Sequence, residues 1–313
     1  MELIHVAAAV IEDAQGRILL ARRSEDKHQG GLWEFPGGKL EPDEDVLTAL
    51  GRELHEELGI AVTQARPLIR IPHRYPDKAV LLDVWKVSNF EGMAHGREGQ
   101  PVEWVMPGAL FDYNFPAANR PIISAVQLPT CYLITPSPQD IDDFLARLDA
   151  ALADGIRLVQ LRAKGLDDDA YKRLARAAVV RCHAHGARLL LNGDPQWVAE
   201  VGADGVQLSS GRLKTLKARP LPREYLVGGS CHNVEELEHA CQLGVDFALL
   251  SPIKWTKSHP EMEGLGWRTM REMIDKMPFP VYALGGVSNN DLKNAFDAGA
   301  QGIAAIRSLW PGM

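Results

Sequence analysis

The sequence predicts an α/β chain of two domains, a strand-rich unit folded around one helix and then a closed parallel β/α barrel. Three observations carry this. The chain has 313 residues, and at about 100–200 residues per domain two compact cores are expected rather than one. The first third holds strand-like apolar runs on either side of a single stretch of helical period. Beyond residue 129 the pattern changes to regular strand–helix alternation, which a closed parallel barrel requires.

Residues 6–11 form an apolar stretch with β-branched residues, a turn follows at 13–16, and residues 17–21 lead away as a second strand, so a hairpin is expected. From Glu44 to Leu58 the apolar residues Val46, Leu47, Leu50, Leu54 and Leu58 recur at helical spacing, and Gly59 supplies the stop. Strands are expected at 62–71 and 79–87. After Pro116, residues 117–126 read as a short closing helix ended by Leu128, Pro129 and Thr130, which places the domain boundary at about residue 129 (1–129 and 130–313). Eight apolar strand candidates follow, at 132–135, 158–161, 188–191, 205–208, 225–227, 247–250, 281–284 and 302–306. Helical stretches at 140–153, 168–185, 234–243 and 290–298 fall between them. Residues 201–205 and 298–302 resemble each other, each a loop from a helix into the next strand where glycine permits the tight turn.

Composition removes several function classes. A formal charge of -7 argues against a broad basic surface, so stable nucleic-acid binding is not expected and any nucleotide is a small molecule. Cys131, Cys182, Cys231 and Cys241 are far apart with no C-x-x-C, which fits reduced thiols and a cytoplasmic location rather than a zinc or disulfide framework. The first residues have no basic region and their apolar run is broken by Glu12 and Asp13, so neither a signal peptide nor, anywhere in the chain, a membrane span is expected.

The chemistry concentrates between Gly37 and Ile60. On a helix Glu53, Glu56 and Glu57 stand at i, i+3 and i+4, so three carboxylates project from one face. Like charges at this spacing repel, and a hard divalent cation supplies the missing counter-charge, since Mg²⁺ binds through carboxylates, waters and substrate phosphates. The plainer alternative is a solvated acidic face. Against it stand Arg52, which can orient a carboxylate through a bidentate pair, and the Gly37-Gly38 loop, which lets backbone approach a metal or phosphate.

The string Gly38-x5-Glu44-x7-Arg52-Glu53-Leu54-x-Glu56-Glu57-x-Gly59-Ile60 matches the Nudix box at every fixed position, so the first domain resembles the Nudix hydrolases. The resemblance implies an α/β/α sandwich that hydrolyses nucleoside diphosphates linked to another group, using Mg²⁺ or Mn²⁺. It assigns Glu53, Glu56 and Glu57 to the metal, with the Gly37 backbone beside it and Arg52 and Glu44 in support. Over almost all of residues 1–127 the chain is similar to the MutT-type 8-oxo-dGTP diphosphatases, including Arg22-Arg23, Trp33-Glu34-Phe35-Pro36-Gly37-Gly38, Glu98-Gly99-Gln100-Pro101 and Phe115-Pro116-Ala117-Ala118-Asn119. By that resemblance Asn119 bonds the purine edge, Phe35 packs on the base, Arg23 and His28 contact the nucleotide, and Glu98 is a further metal ligand or base.

An Asn amide offers both donor and acceptor and can read the O6/N7 region of a guanine, where 8-oxo chemistry turns N7 into a donor. The alternatives are a core Phe35 and a plain helix-terminal Asn119. Lys78 stands where the family often carries arginine, keeping charge but losing the planar fork. The implied reaction is attack of water at phosphorus, a carboxylate such as Glu53 or Glu98 taking the proton, with pyrophosphate and a monophosphate as products.

Most of residues 130–310 resemble thiamine-phosphate synthase and thiazole tautomerase, both TIM (β/α)8 barrels. The matching residues are Gln160, Arg162, Lys164, Asn192, Ser230, His232, Thr256, Gly285 and Gly286, mostly at the C-terminal ends of expected strands, the face that holds the active site in this fold. The resemblance implies a bound thiazole or thiamine phosphate and self-association into a homo-oligomer. Two departures stand out. The synthase's metal-binding aspartates fall at Gly193 and Arg212, with Asp194 as a stand-in, and its lysine after strand six falls at His259. Three readings of the barrel stay open: a synthase, a metal-free proton transfer on a thiazole phosphate with His232 as acid/base, and a ligand-binding module without catalysis. Under a thiamine-pathway reading the first domain would hydrolyse a related pyrophosphate instead.

Overall fold

The computed structural model describes residues 3–25, 29–75, 78–256 and 263–312. The chain clusters into two compact units, Met1–Gln127 with Asp275–Pro278, and Leu128–Ile274 with Phe279–Met313.

The first unit runs β1 (Leu3–Ile11), β2 (Ile18–Arg22), β3 (Trp33–Glu34), β4 (Gly37–Lys39), α1 (Val46–Leu58), β5 (Ala61–Arg74), β6 (Ala79–Glu91), β7 (Val102–Val105) and α2 (Arg120–Gln127), with 3-10 turns at Pro107–Asp112 and Ala117–Asn119 before α2. One sheet has the order β4-β1-β6-β5, with β1 and β6 parallel, and a second has the order β3-β2-β7. The period of two along β1 sorts its side chains between two cores. Ala7, Ala9 and Ile11 pack with Leu50, Leu54 and Leu58 of α1, while Ala8 and Val10 pack with Ile122 and Ile123 of α2. A helix thus covers each face, giving the expected α/β/α sandwich.

The expected hairpin at 6–21 is not formed as one. The turn exists, with Gly16 at φ 75° and Asp13 accepting from the backbone of Gln15 and Arg17. Only the single bridge Glu12–Ile18 joins the strands, which then enter different sheets, because β1 is already paired on both edges by β4 and β6.

Helix α1 begins where Asp45 accepts from the Leu47 and Thr48 N–H groups and ends at Gly59 in the left-handed region (φ 71°). Arg97 and Gln100 donate to the carbonyls of His55 and Glu57 in its last turn, fastening the 95–100 loop to the helix.

The second unit alternates without interruption: β8 (Cys131–Ile134), α3 (Ile141–Ala153), β9 (Leu158–Leu161), α4 (Asp168–Ala184), β10 (Arg188–Leu191), α5 (Trp197–Val201), β11 (Gly205–Leu208), α6 (Ser210–Thr215), β12 (Leu226–Cys231), α7 (Val234–Leu243), β13 (Phe247–Leu250), α8 (Gly266–Ile274), β14 (Val281–Leu284), α9 (Leu292–Asp297) and β15 (Gly302–Ala305). The eight strands close into an all-parallel barrel through β15–β8 and β8–β9 pairing. Its interior is filled by Tyr132, Phe247 and Tyr282, whose ring centroids lie 5.5–5.7 Å apart. Gly228 leaves the room this needs, since a Cβ there would lie 2.7 Å from the Phe247 ring and overlap the Gln207 amide. Gly202 (φ 75°) and Gly299 (φ 83°) make the tight helix-to-strand turns expected of the two similar segments. Among the described residues no helix is long and apolar enough to cross a membrane.

Candidate active site

In the first unit the site is built on α1 and the strand ends in front of it. Arg52 is its hub. Its Nε and Nη2 grip the two Glu44 oxygens at 3.0 and 2.9 Å, Nη1 reaches Glu53 Oε1 at 2.9 Å, and Nη2 also donates to the Lys39 carbonyl at 3.1 Å. These bonds hold the guanidinium charged, and they hold the Glu44 carboxyl below its ordinary value. Glu53 lies over Gly38, where any Cβ would overlap its carboxylate.

Glu57 turns inward and accepts the Gly37 N–H at 3.3 Å. Burial pushes its carboxyl up to about 7, with Glu34, Glu53 and Glu98 adding repulsion and the Gly37 bond opposing it. Three further carboxylates thus act on Glu57, while Arg52 and Arg23 pair with Glu53 and Glu34. Glu98 is delivered by the fastened loop, whose Gln100 side chain also accepts the Glu98 N–H at 2.9 Å.

The three helix acids do not share one environment as expected. The Glu56 side chain is 57% exposed and lies 3.5 Å from Arg52, whereas that of Glu53 is 16% exposed. Among the described residues no three His, Cys, Asp or Glu side chains stand close enough together to hold a metal ion.

Glu34, not singled out from the sequence, joins this cluster to the nucleotide side. It sits at the end of β3, paired across the ladder with Ala21, and meets Arg23 at 3.4 Å. The Arg23 Nε is buried and has no hydrogen-bond partner among the described residues. Arg23 also acts electrostatically on Tyr75, whose ring carries Lys78 Nζ at 5.6 Å from its centroid. Phe35 is 4% exposed and stacks on Phe115 at 5.4 Å in the core under α2, in line with the alternative of a core residue. Asn119 ends the Ala117–Asn119 turn and is partly exposed. His28 lies outside the described residues.

In the barrel the candidate residues stand at or just past strand C-termini. Gln160 lies on β9 with its Oε1 buried and unpartnered, and Arg162 and Lys164 follow that strand. Asn192 follows β10 and donates to the Gln207 carbonyl at 3.0 Å. Ser230, on β12, accepts from Gln207 at 3.0 Å. His232 is next beyond β12, its Nδ1 2.9 Å from Glu236, which also pairs with Lys214 at 2.8 Å. Burial alone would raise the Glu236 carboxyl, but the bonds from Lys214 and His232 outweigh it and hold the group below its ordinary value. Thr256 follows β13, and Gly285 (φ 99°) and Gly286 (φ 69°) follow β14 against Pro252 and Trp255. Asp194, the expected stand-in beside Gly193, lies between a backbone donor and a guanidinium. Its Oδ1 accepts the Gln196 N–H at 3.0 Å, and its Oδ2 faces Arg212 at 3.6 Å. His259 lies outside the described residues.

Comparison with known proteins separates along the same two units. A family model described as thiamine monophosphate synthase matches residues 131–309, and one described as a NUDIX domain matches residues 7–125. The chain is 36% identical to the putative thiamine-phosphate synthase 2 of Aquifex aeolicus, the match covering 58% of this chain and 97% of that protein. It is 35% identical to the 8-oxo-dGTP diphosphatase of Escherichia coli, covering 41% of this chain and 98% of that one. It is also 40% identical to the CTP pyrophosphohydrolase of Escherichia coli, covering 40% of this chain and 92% of that one. With its acids gathered on α1 and its barrel closed by eight parallel strands, the chain belongs to the thiamine monophosphate synthase family through residues 131–309 and carries a Nudix hydrolase domain, matching the MutT 8-oxo-dGTP diphosphatases, in residues 7–125.

Proposed function

We propose that the first domain converts 8-oxo-dGTP to 8-oxo-dGMP and pyrophosphate in the cytoplasm, removing an oxidised precursor before DNA synthesis can use it. The observation that supports a phosphorus-anhydride hydrolase is the inward-turned Glu57 carboxyl, which burial first and the neighbouring Glu34, Glu53 and Glu98 second raise to about 7. Nudix hydrolases generally use divalent metal ions such as Mg²⁺, and hard oxygen donors suit such an ion. By the Nudix resemblance Glu53, Glu56, Glu57, Glu98 and the Gly37 carbonyl would hold it, the side chains moving closer together than they stand here. Bound there, it would neutralise phosphate charge and lower the pKa of water.

The chain's own side chains do the rest. Arg52 orients Glu53, which takes the proton of the attacking water as the new P–O bond forms and the bond to the pyrophosphate oxygen breaks. Arg23, with its unpartnered Nε, and Lys78 bind the anionic nucleotide. Asn119 reads the purine edge.

The CTP-hydrolysing relative makes the base the point to test. Full-length protein should give its highest kcat/KM on 8-oxo-dGTP when that, dGTP, CTP and thiamine diphosphate are assayed side by side. A higher value for CTP or thiamine diphosphate overturns the assignment.

Metal affinity should also follow pH. Folding raises the Glu57 carboxyl from an ordinary 4.5 to about 7. The stability tied to its proton is therefore complete below about 4.5 and is lost as pH rises through about 7. Because an incoming cation displaces that proton, Mg²⁺ affinity measured calorimetrically should climb between about pH 5.5 and 7 and then level. A flat profile over that range removes Glu57 from the ligand set.

For the barrel, we infer a binder of a thiazole or thiamine phosphate. His232, held by Glu236 through Nδ1, favours proton transfer over a metal-assisted condensation.

A further inference from the structure

The barrel has a cavity of about 430 Å³ past the ends of β9 and β10, lined among others by Arg162, Lys164, Asn192, Asp194, Trp197 and Arg212. Three cations line it against two carboxylates, Asp168 and Asp194. With the cations outnumbering the carboxylates, the lining favours an anion held by side chains over one held through a metal.

Position 193 offers no carboxylate. Gly193 packs under two rings, and a Cβ there would lie 3.2 Å from that of Trp197 and 3.4 Å from that of Tyr171. Tyr171 is itself fixed, donating to the Leu161 carbonyl at 2.9 Å and accepting the Asn192 N–H at 3.1 Å. Position 212 carries a guanidinium, which has no lone pair for a metal. Asp194 Oδ1 accepts the Gln196 N–H and Oδ2 lies 3.6 Å from Arg212, so the carboxylate faces a cation of the protein itself.

We propose that this cavity binds a phosphate or diphosphate group directly on Arg162, Lys164 and Arg212, with no divalent metal. Arg212 holds, as part of the protein, the positive charge that a bound ion would otherwise bring. Its planar fork suits a phosphate edge, and Asp194 keeps it facing the cavity while the site is empty. The inference rests on the reading of the barrel as a phosphate-ester binder and deepens it by specifying how the anion is held.

The test uses inorganic pyrophosphate as probe on the full-length chain, titrated calorimetrically in excess EDTA and again with Mg²⁺. Binding to the barrel is the part that changes in Arg212→Gln, so anion bound at the Nudix acids is subtracted. The expected result is binding in EDTA that weakens about tenfold or more in Arg212→Gln, the loss of a charge-assisted bond. Asp194→Asn should tighten it about threefold, because a competing negative charge is removed. A metal-ligand role for Asp194 predicts the opposite sign. Circular dichroism melts check that both variants are folded, and Arg162→Gln supplies an independent variant.

Arg212-sensitive binding that appears only with Mg²⁺ and is lost in Asp194→Asn overturns the metal-free mode while leaving the barrel a phosphate binder. If neither condition gives Arg212-sensitive binding, the barrel reading falls as well.

Discussion

Replacing Glu53 by glutamine should lower turnover of 8-oxo-dGTP by about 10³-fold, the scale expected when a proton-accepting carboxylate at a metal site is lost. The variant keeps the shape of the side chain, which matters because the carboxylate rests on Gly38 with no space to spare. It also leaves the support in place. Arg52 still grips both oxygens of Glu44 and the Lys39 carbonyl, so the hub does not collapse when one partner becomes neutral. The melting temperature should therefore stay near that of the parent while the initial rate falls. Activity within tenfold of the parent would falsify the role given to Glu53, and a large loss of stability would show that the bond to Arg52 serves the fold instead.

Gly37→Ala should damage stability and activity together. Gly37 has φ 144°, a backbone conformation that L side chains rarely adopt, and a Cβ would overlap the Ala7 carbonyl oxygen. The obstacle is backbone of β1, which is paired to β4 and β6 and packed by a helix on each face, so it cannot step aside. A cost of about 3 kcal/mol is expected, lowering the melting temperature by roughly 10 °C. Turnover should fall with it even well below the melting range, because the Gly37 N–H is what holds Glu57 inward. Parallel melts and rates for parent and variant decide the matter: an alanine chain that melts with the parent means β4 can move off β1.

How much of this was legible in the sequence follows from where the information sits. The barrel strands were readable because each is a short apolar run buried on both faces and set off by helices, and Tyr132, Phe247 and Leu158 follow that rule. Strands β3, β4 and β7 have two to four residues and no usable period, and α5 and α6 are barely longer than a turn. The expected hairpin failed because local turn chemistry fixes the Asp13–Gly16 reversal but not which partner each strand then takes. Glu44, Arg52 and Glu53 were readable from spacing on and near one helix. Glu34 was not, since its place depends on β3 lying beside β2 near Arg23, although an acid between Trp33 and Phe35 opposite a basic strand end was a signal to follow. Whether Phe35 faces a base or the core stayed open because a motif gives order along the chain and not the direction in which a ring turns. The Asp194–Arg212 pair joins the loop after β10 to helix α6 and could be found only in space.

The fastening of the 95–100 loop to the end of α1 has a thermodynamic consequence for Glu98. Arg97 and Gln100 anchor this segment on helix carbonyls, so the position of Glu98 is determined by backbone and not by what its carboxylate binds. The backbone entropy of bringing this segment up to the helix end is therefore lost when the chain folds, and a ligand has only the Glu98 side chain left to order.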